Sequence, residues 1–134
     1  MNILTKTLPA LVLAAGCAFG LPPALAGEVI ANASVTLSAD EVKEAFLGDK
    51  QLAGSVKLVP VDNAAQQADF LSKVLQLDVT KYSARWTKKA FREGMTAPAV
   101  KGSDAEVLAF VKATPGAIGY VSSSGGGAKV LLKY

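Results

Sequence analysis

No part of the chain constrains its fold more than the stretch from Lys101 to Val121, Lys-Gly-Ser-Asp-Ala-Glu-Val-Leu-Ala-Phe-Val-Lys-Ala-Thr-Pro-Gly-Ala-Ile-Gly-Tyr-Val. Ser103 stands three residues ahead of Glu106. The serine hydroxyl can accept from the Glu106 N–H while the glutamate carboxylate accepts from the Ser103 N–H, a capping box that starts a helix. Val107, Leu108 and Val111 then form one apolar stripe, with Phe110 on its flank. Thr114 precedes Pro115 and is pushed out of helical space, and Gly116 can turn the chain. Ala117–Val121 has few polar atoms and suits an inner strand. Ala117 and Gly119 leave room for another element to lie close above it. Helix, tight turn and buried strand predict an α/β fold.

The remaining elements follow the same reasoning. Val29 to Ala33 reads as a first strand, with Asn32 marking its end. Ser38-Ala39-Asp40-Glu41 is a second capping box, opening a helix that buries Val42, Ala45 and Phe46 and stops at Gly48. Asp49 to Ser55 is polar and reads as a surface loop. Val56 to Val61 is predicted as a strand on its branched residues, although Pro60 cannot donate to a ladder. Asp62 or Asn63 is expected to cap the next helix, whose inner face is Ala68, Leu71, Val74 and Leu75. Asp78 caps a further helix to about Glu93, Met95 to Gly102 is a loop, and Lys129 to Tyr134 is a last strand. One domain follows, with a small mixed sheet of about four strands flanked by helices.

The N-terminal part reads differently. After Lys6 no charge appears until Glu28, and Leu8 to Leu21 is largely apolar. Pro22-Pro23 breaks any helix, and Ala24-Leu25-Ala26 supplies the small residues of a signal-peptidase site. The expectation is a signal peptide over 1–26, export to the periplasm, and a domain over 27–134. Two other readings remain. One is a retained membrane helix, opposed by the double proline and the small-residue exit. The other is a lipoprotein acylated at Cys17 within Ala15-Gly16-Cys17, although Ala14 stands where a larger aliphatic residue is usual.

Removal of 1–26 leaves 13 basic side chains against 11 acidic ones. That balance is too even to point to nucleic acid. Cys17 is the only cysteine of the chain and histidine is absent, so no disulfide, cysteine nucleophile or histidine base is expected in the domain. Carboxylate pairs such as Asp40/Glu41 sit at helix starts, where capping and the macrodipole account for them. The expectation is a protein that is not an enzyme and carries no metal or cofactor. A small exported hydrolase with a lysine-activated serine is the rival from another class.

Two features carry more chemistry. The helix up to Glu93 places Lys81, Arg85, Lys88, Lys89 and Arg92 in one sector at about 100° per residue, and Val79, Tyr82, Trp86 and Ala90 in another. The first sector is either a solvated face or a docking face for an acidic partner, an anion or a membrane surface. The second makes Trp86 a packing anchor. The run Ser122-Ser123-Ser124-Gly125-Gly126-Gly127 could form an anion-holding nest. It lacks a following helix and the Lys-Ser/Thr of a P-loop, and so reads as a flexible connection.

Thr114-Pro115-Gly116-Ala117-Ile118-Gly119-Tyr120-Val121 resembles a signature of the periplasmic phosphate-binding-protein superfamily, the substrate-binding components of phosphate ABC transporters. Leu37–Glu41 running into Phe46-Leu47-Gly48, Lys57–Asp62 and Phe70–Leu75 agree with it in order and spacing. The resemblance covers most of Val29 to Val121 and matches a group of short members. It implies a single binding-protein-like lobe, exported and solute-binding-like, that binds an anion such as phosphate together with a partner or second copy and works beside an ABC permease or another envelope protein. The alternative is a lobe reused as a periplasmic protein–protein interaction module. Trp86 and Phe91 match aromatic positions that the superfamily uses as core anchors.

The phosphate ligands do not carry over. Long members present an arginine and a Ser-Gly-Thr group after the strand matching Lys57–Val61, whereas this chain has Pro60 near the arginine position and Ala64-Ala65-Gln66 in place of Ser-Gly-Thr. The candidate ligand-binding residues are then the neutral amides of Asn63 and Gln66. Arg85, Lys88 and Lys89 join them if their helix reaches that loop. The exported domain is expected to bind free phosphate weakly or not at all, and to keep no membrane span once the signal is cleaved.

Overall fold

The computed structural model describes residues 27–134; the expected signal peptide and Cys17 lie outside the described residues. The elements run β1 (Glu28–Ala31), α1 (Ala39–Phe46), β2 (Leu52–Ala53), β3 (Val56–Lys57), β4 (Val59–Asn63), α2 (Gln67–Phe70), α3 (Val79–Glu93), β5 (Ala99–Lys101), α4 (Asp104–Ala113), β6 (Ala117–Val121) and β7 (Lys129–Lys133). A π-helical turn, Leu71–Leu75, continues α2. The fold is α/β. Its main sheet has five strands in the order β5-β4-β6-β1-β7, one more than expected, and β2 with β3 forms a separate hairpin. β4 runs parallel to β5 and β6, while β1 is antiparallel to β6 and β7.

β6 is the inner strand that its composition predicted, buried at every position. Alternation sends Ile118 and Tyr120 to one face of the sheet and Ala117 and Val121 to the other. The first face packs with Val29, Phe46, Phe70, Leu71, Tyr82 and Trp86 from the side of α1, α2 and α3. The second packs with Ile30, Val61, Val107 and Val111 under α4. Gly119 permits that second packing: a Cβ there would lie 2.6 Å from Val107 Cγ1 and 3.1 Å from Val61 Cγ2. On the first face Phe70 stacks on Tyr120 with centroids 3.9 Å apart, and Phe46 meets both rings edge-on.

Both serine caps form. Ser38 makes the complete reciprocal box with Glu41. At α4 the Glu106 N–H donates to Ser103 Oγ (3.3 Å), but the Glu106 carboxylate accepts from the Gly102 N–H (2.8 Å), one residue earlier than expected. Asn32 ends β1 and has a second task. Its Nδ2 donates to the carbonyls of Val111 (3.0 Å) and Lys112 (3.2 Å), satisfying groups that the last turn of α4 leaves open.

Pro60 is accommodated in an interior strand by register. The Val59 N–H donates to Gly116 O on the β6 side, so Pro60 turns its nitrogen to the opposite edge. There β5 begins only opposite Val61, at Ala99. Several expectations change for comparable reasons. The 49–55 loop contributes Leu52–Ala53 to a local hairpin with Val56–Lys57, and the 95–102 loop contains β5 because β4, far away in the chain, supplies its pairing. Asp62 and Asn63 belong to β4 rather than capping α2, whose N-cap position is held by Gln66 without a side-chain hydrogen bond. α2 and the π-helical turn together bury Phe70, Leu71 and Val74 and leave Ala68 exposed.

Trp86 is the anchor expected of it, 5% exposed, with Nε1 donating to Phe46 O at 3.1 Å. Phe91 is not: it is 91% exposed. The two residues are five apart, about 140° round the helix, so turning Trp86 inward points Phe91 outward. Val79 (44% exposed) and Ala90 lie at the rim of the apolar sector and are also open to solvent.

Candidate functional site

In an open α/β sheet the crevice beyond the carboxyl ends of parallel strands is where ligands bind. Here that edge gathers Asp62 and Asn63 of β4, Lys101 of β5, Val121 of β6 and the first residues of α4, with Glu28 of antiparallel β1 beside them. Alternation along β4 puts neighbours on opposite faces. Asp62 points toward α3 and Asn63 toward α4, and the two residues build two unlike polar centres.

Asp62 is 2% exposed. Its carboxylate accepts from Tyr120 OH (2.8 Å, to Oδ1) and Tyr82 OH (2.9 Å, to Oδ2), and no cation pairs with it among the described residues. Burial pushes its pKa above the ordinary value, against the two hydroxyl bonds that favour the charged form. Both tyrosines are in turn pushed far above their usual range, by burial first and then by the Asp62 charge. They act here as fixed donors.

The second centre lies on the α4 side and is partly open to solvent. Asp104 accepts from Asn63 Nδ2 (2.7 Å) and the Ser122 N–H (3.1 Å), and the Ser122 hydroxyl donates to the same carboxylate. Burial pushes Asp104 up, but the bonds from Ser122 and Asn63 outweigh it and hold the carboxyl below its ordinary value. Next to it Glu28 accepts from Ser124 Oγ (2.6 Å) and the Ser124 N–H (3.1 Å). Those bonds, the hydroxyl's most of all, also lower its pKa. The serine run therefore does not hang free: Ser122 and Ser124 each clasp a carboxylate through hydroxyl and backbone N–H. The chain then reverses through Gly125 (φ 60°) and Gly126 (φ 78°), a left-handed pair that suits glycine.

The five expected ligand residues are divided. Asn63 is fully buried and spends both amide hydrogens, one on Asp104 and one on Tyr120 O (3.0 Å), while its Oδ1 accepts from the Ala65 N–H. Gln66 is half-buried at the start of α2. α3 does reach the end of β4, but through Tyr82. Its cations Arg85 and Lys89 are turned to Asp49 after α1, at 3.3 and 2.9 Å, and Lys89 also approaches Glu93 at 3.6 Å. Those partners, Asp49 foremost, raise the Lys89 pKa. Lys88 is exposed and forms no ion pair among the described residues. No hydrogen bond or ion pair among the described residues joins the Asn63–Gln66 loop to Arg85, Lys88 or Lys89.

Sequence reasoning gave Asp104 and Glu28 no site role, took Asp62 for a helix cap, and set the run holding Ser122 and Ser124 aside as a flexible connection. Asp104 followed a cap serine and was absorbed by the helix start. Glu28 and Ser124 are 96 residues apart in sequence, a pairing that only the β1–β6 register brings about. At the other end of the sheet a groove of about 580 Å³ is lined by Pro60, Trp86, Met95, Pro98 and Phe110, with Lys50 and Lys57 in its walls. Lys50 is tied to Glu41 at 3.1 Å. No helix among the described residues is long and apolar enough to cross a membrane. A scan against protein-family models finds no match to this chain, and neither does a search of curated proteins.

Proposed function

We propose that this chain is an exported, periplasmic lobe of the phosphate-binding-protein type that serves as an interaction module of the cell envelope and holds no free phosphate of its own. The observation that carries the reading is the state of the donors at the carboxyl edge. The Ser122 and Ser124 hydroxyls, their N–H groups and one Asn63 amide hydrogen are what an oxyanion would seek there, and Asp104 and Glu28 already occupy them. A desolvated anion would have to displace two internal carboxylates held by charge-assisted bonds, without gaining an arginine in return. The partner under this reading is an envelope protein such as a transporter permease. The proposal includes no catalytic step, metal or cofactor.

One observation favours a second reading, that of a solute-binding-like half-site completed by a partner. The donors do converge on an oxyanion; the oxyanion is a carboxylate of the chain. If a partner drew α4 away, the same donors would face a solute such as phosphate.

Calorimetric titration with phosphate separates the two. The wild-type protein is expected to give no binding heat beyond dilution. Asp104→Ala, which vacates the Ser122 and Asn63 donors, is expected to admit phosphate or acetate weakly, roughly in the millimolar range appropriate to a few neutral donors. Micromolar phosphate binding by the wild type that persists in salt breaks the proposal and restores the solute-binding reading.

A further inference from the structure

The outer face of α3 pairs with nothing described so far. Lys81, Lys88 and Arg92 fall within about 40° of one another on the helix, and Phe91 lies about 60° further round. This face is turned away from the sector of Tyr82 and Trp86, which is buried. None of the three cations pairs with a carboxylate among the described residues, in contrast to Arg85 and Lys89 on the flank, which Asp49 holds. Phe91 is 91% exposed, more than any other large apolar side chain among the described residues. A phenylalanine in that position gains nothing for the fold. Its helix is also firmly placed, capped by Asp78 Oδ1 accepting from the Lys81 N–H at 2.7 Å and anchored by the buried Trp86.

We infer that this face docks on an anionic phospholipid surface, Phe91 entering the headgroup–acyl boundary while Lys81, Lys88 and Arg92 meet lipid phosphates. Charge complementarity points to an anionic partner. The choice of a bilayer over an acidic protein follows from the shape and apolar content of the face. A stable protein interface buries about 800 Å² per partner around a cluster of apolar anchors. The outer face of α3 is convex and offers one such anchor. A fluid headgroup layer needs no complementary pocket, takes a single aromatic ring into its boundary and gains from each basic residue near it. The inference rests on the proposed interaction-module reading for its purpose, but its geometry stands apart from the carboxyl edge.

The test is co-sedimentation of the full chain, in the form its host releases, with vesicles of phosphatidylcholine mixed with phosphatidylglycerol, and with phosphatidylcholine alone. Binding to the anionic vesicles only, weakening as salt rises, is expected. Lys88→Glu with Arg92→Glu should reduce partitioning roughly tenfold or more, and Phe91→Ser by several-fold. Lys112→Glu, on the opposite side of the sheet, should change it little. All variants share the same N-terminal segment, so differences among them report on α3 alone. Anionic-vesicle binding that is equal in all variants, or no vesicle binding at low salt, overturns the inference. Capture by polyglutamate without vesicle binding would also overturn it and assign the face to an acidic protein. None of these failures touches the phosphate titration, which judges the interaction-module reading by itself.

Discussion

Asp62 and Asp104 lie at the same end of the same sheet and receive opposite treatment. Asp62 sits on the α3 face, sealed from solvent, with two tyrosine hydroxyls and no cation among the described residues. Asp104 sits on the α4 face, partly open to solvent, with an amide, a hydroxyl and a backbone N–H. The pKa of the first is raised, chiefly by burial, and that of the second is lowered by its donors. What differs is how fully each set of hydrogen bonds offsets the loss of water. Two bonds do not compensate complete burial; three bonds at a partly wetted site more than compensate a shallow one. Adjacent residues of β4 build the two centres, since Asp62 is itself the first acceptor and Asn63 is a donor to the second.

The contrast is broken most severely by removing both hydroxyls. Tyr82→Phe combined with Tyr120→Phe leaves the Asp62 carboxylate buried without a donor. The cost is expected to be about 3–6 kcal/mol at pH 7, at about 1.5–3 for each bond to a charged group. Urea denaturation measures it, and a loss under about 1 kcal/mol would mean that water reaches Asp62 after all.

Asp104→Ala should cost less, about 1–2 kcal/mol at pH 7, because two of its three bonds come from the exposed Ser122, which can turn to solvent, and only the buried Asn63 amide hydrogen loses its partner. Its folded pKa lies below the ordinary value of 3.8. The stabilisation it gives is therefore present above that pH and lost as pH falls through the folded value. The variant should accordingly lose less stability than the wild type when acidified. An unchanged acid limb would assign the slope to Glu28, whose pKa is lowered in the same way.

The smallest effect sharpens the comparison most. Asp62→Asn keeps the shape and an acceptor while removing the charge. Asp62 has a folded pKa above 3.8, so its contribution is fully present below that value and is lost as pH rises through the folded pKa. The variant should differ from wild type by under about 1 kcal/mol near pH 4 and gain on it as the pH increases. Parallel stability curves for the two proteins from acid to neutral pH would show that Asp62 is not perturbed.

Much of this molecule was determined by local sequence alone. The Ser38 box, the Asp78 cap, the stop at Gly48 and the Pro115-Gly116 turn each act through residues a few positions apart, so their physics is contained in the segments themselves. The burial of β6, the close approach at Gly119 and the inward turn of Trp86 follow from the same short-range patterns. The outward turn of Phe91 was legible too, since its angle from Trp86 is helix geometry; matching it to an aromatic position elsewhere obscured this.

Tertiary structure decided what depends on partners remote in sequence. β5 is too short to announce itself, and it exists because β4, remote in sequence, supplies the ladder. Asn32 was legible as the end of a strand; that it also closes α4 required the two to meet 79 residues apart. Asp62 and Asn63 read equally well as helix caps, and only the extension of β4 made one a buried acceptor and the other a donor to Asp104. The candidate site shows the same division most clearly. An aspartate after a cap serine, a run of serines and a first-strand glutamate are each unremarkable in sequence. Folding brings them within hydrogen-bonding distance, and there the chain supplies its own carboxylates to the donors that an anion would need.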